Sequence, residues 1–455
     1  MDTHGGHVTP VPAPSLDALW SILPENAAID DATPEVLSIG GVTVTELAEQ
    51  YGTPLYVYDE VGLRRQIRRF TEGLRERWPN SEVLFASKSF PAVGMYRLAQ
   101  EEGLSVDVAG GGELQMALAA GVDPARIHMH GNAKTDAELA MALEAGIDTI
   151  IVDNADELDR LERLLPQHTG ARASMPQQLL LRVIPGVAAK THASQATGGA
   201  ESKFGLPLDQ AAEAIARMRA HPLMDFAGVH LHIGSQILDV AQFAEAVSKL
   251  SNVTDDVSGG TAFRTYDVGG GLGVKYTTTD DAPSVDAYLD AIVAAAREHL
   301  HPDARLLIEP GRSLVARAGV TLYRVTSVKR TGRTFVAVDG GLADQMDAAL
   351  TGQRFEAVLA NRLADDWSES VQLVGRQCES GDLLVDGAPM PEANVGDLVV
   401  LATTGAYGYT LANNYNGALK PAIVFVGDGG SRLVARRETY ADLLATHEPS
   451  IGSTV

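Results

Sequence analysis

From residue 81 to residue 308 the apolar positions fall into short, nearly unbroken runs, and between the runs they recur at three- and four-residue spacing. The runs at 83–86, 105–109, 127–130, 149–152, 178–184, 226–232, 264–268 and 305–308 read as buried strands. The stretches 113–120, 136–145, 156–165, 208–219, 240–250 and 285–299 read as helices, with Ala, Leu, Glu and Arg filling the positions between the apolar ones. Eight strands alternating with helices predict an α/β fold, a (β/α)8 TIM-type barrel over residues 61–318, with its chemistry where the strands end. An open doubly wound sheet is the alternative, and the strand count argues against it.

Past residue 318 the helical spacing fades. Segments 319–328, 334–338, 371–374, 383–385, 398–401 and 421–426 are short, β-branched and bounded by Gly, Asp and Pro, which predicts a C-terminal β-domain over 319–455. A hairpin at 37–44, a short helix at 45–50 and a strand at 54–58 form an N-terminal segment, 39–60, expected to join that domain. Residues 1–38 carry Pro10, Pro12, Pro14, Pro24 and Pro34 and read as an extended or partly helical extension without chemistry.

A length of 455 residues exceeds what one hydrophobic core serves, in keeping with a barrel plus an addition. An apolar fraction of 45% without a run of ~18 apolar residues points away from the membrane. The first residues have neither a basic start nor an apolar stretch, so a cytoplasmic location is expected. A formal charge of -23 argues against a nucleic-acid groove and an anionic membrane surface, while leaving room for a local basic site that takes a small anion. The single cysteine, Cys378, excludes an intrachain disulfide framework and a multi-cysteine metal site.

The predicted strands end in polar or glycine-rich segments. Lys88 follows the first, Asp107 closes the second, and His130-Gly131-Asn132 follows the third. His230-Leu231-His232-Ile233-Gly234-Ser235-Gln236, then Asp267-Val268-Gly269-Gly270-Gly271-Leu272-Gly273, then Glu309-Pro310-Gly311-Arg312 end the last three. Consecutive glycines let backbone N–H groups approach an anion, and barrels often bind phosphate after strands seven and eight. Arg312 adds a charge-assisted donor there. Taken alone, Lys88 is an ordinary loop lysine and three glycines are a tight turn. As a set, a lysine, a carboxylate, an imidazole, an anion site and an arginine are what pyridoxal 5'-phosphate requires. A zinc reading of His230-x-His232 lacks a third protein ligand, so no metal is expected. The run Lys190–Ala200, rich in small polar residues and glycine, reads equally as a mobile lid or a disordered loop.

The motifs Ala86-Ser87-Lys88, Asp107-x-x-x-Gly111-Gly112-Glu113-Leu114, His230-x-His232-Ile233-Gly234-Ser235-Gln236, Asp267-x-Gly269-Gly270-Gly271-Leu272-Gly273, Glu309-Pro310-Gly311-Arg312, Cys378-Glu379-Ser380-Gly381-Asp382 and Gly405-Ala406-Tyr407 occur in that order. As a set they resemble the diaminopimelate decarboxylase family, of the alanine-racemase-like fold type, from about residue 38 to Leu444. The resemblance implies a homodimer with an active site shared between subunits and an amino-acid substrate. It implies that Lys88 is the Schiff-base lysine, that His232 stacks on the cofactor ring and that Glu309 pairs with its pyridine nitrogen. Asp107 joins the cofactor-binding set. Ser235, Gly269, Gly270, Gly271, Gly311, Arg312 and Tyr407 would hold the phosphate, with Arg312 and Tyr407 also reaching substrate. Cys378 of the partner subunit would return a proton to the α-carbon, and Glu379 of the partner subunit would bind the distal amine. A racemase of this fold is disfavoured by Glu309 and the Cys378 turn. A non-catalytic regulatory relative is the other class, against which stands the joint presence of Lys88, His232, Glu309 and Cys378.

The resemblance breaks after Asp339-Gly340-Gly341. Where the family usually carries an arginine and, four residues on, a tyrosine that hold the distal carboxylate, this chain has Asp347 and Thr351. An anion in place of a cation turns attraction into repulsion, each on the order of a few kcal/mol at ~4 Å in a partly screened site. Arg354 is near enough in sequence to compensate. The expectation is a decarboxylase with altered distal-group specificity, with meso-diaminopimelate as the alternative substrate.

Overall fold

The computed structural model describes residues 15–447 except 169, 171–174, 185, 187–198, 200–201 and 259–262. Apart from Gly199, the run Lys190–Ala200 lies outside the described residues. The chain divides into two compact units, Arg64–Val274 with Asp281–Val315, and Met1–Leu63 with Lys275–Asp280 and Ala316–Val455.

The first unit is a closed parallel barrel, as the alternation predicts. In chain order its strands are Ser81–Ala86, Ser105–Val108, Ile127–Met129, Thr149–Val152, Gln177–Arg182, Met224–His230, Thr265–Asp267 and Arg305–Ile308. Each pairs in parallel with the next, and Leu306 closes the ring against Ser81. The strands read as continuous apolar runs because both faces are covered, and Leu84, Phe85, Val106, Ile150 and Leu180 are buried. The helices between them are set by local signals. Thr135 and Glu138 form a reciprocal cap on Asp136–Ala145, which Gly146 ends in the left-handed region.

The second unit is built on a mixed sheet. Its path runs Leu383–Met390, Glu369–Val374, Arg333–Val338, Gly319–Thr331, Leu55–Asp59, Ala422–Gly427, Gly430–Ala435. The strand Leu55–Asp59 is antiparallel to Gly319–Thr331 and parallel to Ala422–Gly427. Residues 15–38 do not stand off as an extension. Leu19, Ile22 and Leu23 are buried in this unit's core, and Ala27–Ile29 pairs with Leu37–Ile39. Their backbone carbonyls are held from afar: Arg317 donates to Leu23 and Trp20, both at 2.9 Å, and Thr403 donates to Ile22 at 2.7 Å. Among the described residues no helix is long and apolar enough to cross a membrane.

Candidate active site

The strand ends of the barrel bring most of the predicted chemistry together. Lys88 sits on the single 3-10 turn Ser87–Ser89 directly after the first strand, with its side chain exposed. Asp107, the third of four residues in the next strand, is buried, and burial first of all lifts its carboxyl to about 6, against the pull of His130 and Lys88. The centre of the cluster is Glu309, only 6% exposed, just past the last strand. His130 Nε2 lies 2.8 Å from its Oε1 and His230 Nε2 lies 3.2 Å from its Oε2, with the two imidazoles edge to face at 4.9 Å.

These contacts decide charge. Burial pushes the Glu309 carboxyl up, but His130 and His230 outweigh it and hold the group well below the usual carboxylate range. His130 is itself pushed down by burial, yet Asp107 and Glu309 together raise it above the ordinary imidazole value. For His230 burial wins and lowers the ring to about 4, so it is neutral. Asp267 completes the group. Burial and the neighbouring Glu309 raise it well above the usual range, while its Oδ1 accepts from Gly269 N at 2.9 Å.

His232 lies two residues beyond its strand, not on it as the apolar pattern suggests. Its Nδ1 accepts from Gly270 N at 3.2 Å, and burial, followed by the charges of Lys88 and Arg182, keeps the ring neutral. The glycines beside it are required by space. Gly269 has φ +67°, and a Cβ on Gly270 would run into the Glu309 carbonyl oxygen. Gln236 clamps this turn from outside, donating to the Val274 carbonyl at 2.7 Å and accepting from Val274 N at 3.1 Å. Arg312 is buried and its Nε donates to Ser235 Oγ at 3.2 Å, so both phosphate candidates adjoin each other. A Cβ on Gly311 would press on Ala86 and Ser89, which flank Lys88 in the chain.

Two members were not assigned a role from sequence. Arg182, the last residue of its strand, pairs in register with His230 and lays its guanidinium 4.5 Å from the Phe204 ring centroid. Its charge is felt by Asp107, His130, His230 and His232. His130 was singled out only as a polar strand end. The shared signal is that both follow or close a strand at the same end of the barrel as Lys88. The missing third partner for a His230 pair is also here, though it is not His232: His130, His230 and Glu309 place donor atoms within 4.8 Å of one another. The opposite charges of Glu309 and His130 account for that closeness.

The remaining predicted residues lie in the other unit. Asp347 begins the short helix Asp347–Thr351 and is 2% exposed, and the Thr351 hydroxyl donates to its carbonyl at 2.8 Å. Cys378 and Glu379 are exposed on a turn pinned at both ends. Cys378 N donates to Asn416 Oδ1 at 2.7 Å. The buried Asp382 accepts from Leu342 N at 2.7 Å and from Gln377 N at 2.8 Å, which ties this turn to the glycine loop that leads to Asp347. Tyr407 stands in the left-handed region, φ +63°, ahead of Gly408–Leu411.

A buried anion between imidazoles, a neutral imidazole bonded to a glycine turn, an arginine–serine pair and a lysine on a short turn fit pyridoxal phosphate in charge and in donor set. Comparisons with known proteins agree. Residues 63–316 match the family model described as pyridoxal-dependent decarboxylase, pyridoxal binding domain. The chain is 43% identical over 423 residues to a diaminopimelate decarboxylase of Bacillus subtilis, covering 91% of this chain and 95% of the relative. It is 42% identical over 416 residues to one of Actinosynnema pretiosum, covering 90% and 92%. The crystal structure of diaminopimelate decarboxylase from M. jannaschii in complex with L-lysine superposes with a TM-score of 0.86 at 31% identity, covering 94% of this chain and 99% of that one.

Proposed function

Because the chain belongs to the diaminopimelate decarboxylase family of pyridoxal-phosphate-dependent carboxy-lyases, we propose that it removes the α-carboxylate of a diamino acid whose distal end differs from that of meso-diaminopimelate. The cofactor, when bound, supplies a protonated ring that accepts the electron pair left as carbon dioxide departs. Lys88 would hold the cofactor through its side-chain amine. Glu309, anionic between its imidazoles, pairs with the ring nitrogen, and neutral His232 offers a flat face to stack against the ring. Ser235 and the N–H groups of Gly269 to Gly271, Gly311 and Arg312 would hold the phosphate.

The active enzyme is a homodimer in the cytoplasm, in which Cys378 of the partner subunit returns a proton to the α-carbon and Glu379 of the partner subunit takes the distal amine. The exposure of both residues on a turn fixed by Asp382 supports this, since neither is spent on its own core.

The observation that carries the substrate reading is Asp347 with Thr351, at the positions where the family resemblance implies an arginine and a tyrosine. A carboxylate there disfavours a second free carboxylate on the substrate and favours a neutral or cationic distal group. The test compares kcat/KM for meso-diaminopimelate, lysine, ornithine and distally amidated diaminopimelate. Faster turnover of a substrate without a free distal carboxylate is expected. Efficient turnover of meso-diaminopimelate alone overturns the substrate reading and leaves the decarboxylase standing. Wild-type protein should absorb near the visible edge of the ultraviolet once loaded, and Lys88→Ala should abolish that band.

A further inference from the structure

We propose that His130 is a positioning residue that keeps Glu309 ionised at its buried site, so that the proton shared between Glu309 and the cofactor's ring nitrogen rests on the ring. This rests on the reading that the barrel mouth holds pyridoxal phosphate.

A carboxylate this deeply buried takes up a proton unless a positive neighbour prevents it. Two imidazoles reach Glu309, one to each oxygen, and their surroundings differ. His130 lies between two carboxylates, Glu309 at 2.8 Å and Asp107 at 3.9 Å, which favour its charged form. His230 meets only one of these carboxylates and has the His130 ring against it, which favours its neutral form. The charge that stabilises Glu309 by contact therefore sits on His130. The other charged and titratable groups that act on or feel His130 are Asp107 on the second strand, Glu113 beyond it, Arg182 and His230 at the ends of their strands, and His128 on the strand that leads to His130.

Its position is built independently of any ligand. His130 N donates to the Val108 carbonyl at 2.8 Å. The next residue, Gly131, gives its carbonyl to buried Lys134 at 2.7 Å, and Lys134 is anchored in turn to the Ile151 carbonyl and to Glu157. Where a pyridine nitrogen and a carboxylate share one proton, a neighbour that makes the carboxylate more acidic moves the proton to the ring. A ring that keeps its proton is the better electron acceptor.

The experiment reconstitutes full-length wild type, His130→Gln, His130→Phe and His230→Gln with ring-15N pyridoxal phosphate and records the ring nitrogen resonance from pH 6 to pH 9, with the cofactor absorption spectrum alongside. The wild type should show a protonated ring at pH 6. In His130→Gln, which retains size and hydrogen bonding but not charge, the resonance should move toward the unprotonated position, and kcat should fall at least tenfold with KM changed less than threefold. His230→Gln should shift the resonance much less. His130→Gln with a wild-type resonance at every pH overturns the proposal. If His130→Phe fails to fold, His130→Gln decides alone. A wild type that binds no pyridoxal phosphate overturns the underlying reading, a result distinct from a coloured wild type whose variants keep the ring protonated.

Discussion

Glu157→Gln isolates one charge in the barrel wall. Lys134 is 2% exposed and Glu157 fully buried, with Nζ 2.8 Å from Oε1. Burial alone pushes the lysine down and the glutamate up, so each ion persists through the other and through the carbonyls of Gly131 and Ile151. Removing one member of such a pair costs about 3–5 kcal/mol, because the other is left charged without a counter-ion. That cost has a ceiling, since Lys134 can shed its proton instead. Neutralising an ammonium of ordinary pKa costs about 5 kcal/mol at pH 7 and about 2 kcal/mol at pH 9, at about 1.36 kcal/mol per pH unit. Glu157→Gln should therefore destabilise the barrel by about 3–5 kcal/mol at pH 7 and by no more than about 2 kcal/mol at pH 9, each relative to wild type at the same pH. Denaturant unfolding followed by far-ultraviolet circular dichroism and by Trp78 fluorescence in a Trp20→Phe/Trp367→Phe background measures both. The paired replacement Lys134→Met/Glu157→Leu should recover most of the loss, because a packed apolar pair removes both desolvation costs. A loss below about 1 kcal/mol at pH 7, or one that does not shrink at pH 9, would show that the charge is not confined as described.

Asp344 is buried with its carboxyl raised to about 7, chiefly by burial, so its proton favours the folded state. Its contribution is fully present below pH ~4 and is lost as pH rises toward 7, so wild type minus Asp344→Asn stability, from thermal unfolding, should decline by a few kcal/mol across that window and be flat above it. Gly270→Ala should cost at least tenfold in cofactor affinity, read by fluorescence titration of apoprotein, because its Cβ meets the Glu309 carbonyl. Thr135→Ala should lower stability by about 1 kcal/mol through loss of the cap on Asp136–Ala145, with thermal unfolding as the measure and an unchanged cofactor spectrum as the control.

The barrel was legible because its strands are covered on both faces and so remain apolar throughout, while their ends change abruptly to Gly, His, Asp and Lys. In the C-terminal part of the other unit two strands carry no readable pattern, for physical reasons. Ala357–Leu359 is too short to show a period, and Gly430–Ala435 lies at the sheet edge with its pattern partly exposed. Residues 15–38 show no period because prolines interrupt it, and what holds Leu19 to Leu23 is the distant Arg317 and Thr403. At the site, residue types were readable and partnerships were not. His230 and His232 look equivalent two residues apart, yet one closes the strand against Glu309 and the other lies past its end, accepting from Gly270 N. Arg182 sits in an apolar run whose register against His230 exists only once the sheet has closed.

Asp382 has a consequence for redesign. Its two oxygens bind backbone from two separate segments, Leu342 in one and Gln377 in the other, so its carboxylate acts as a shared template for both. Grafting residues 340–352 from a relative to alter the distal-end preference would impose a new backbone on one half of that template while the other half still carries Cys378. The two segments are a single heritable part, and a swap that exchanges 340–352 together with 375–382 should retain activity that either exchange alone would lose.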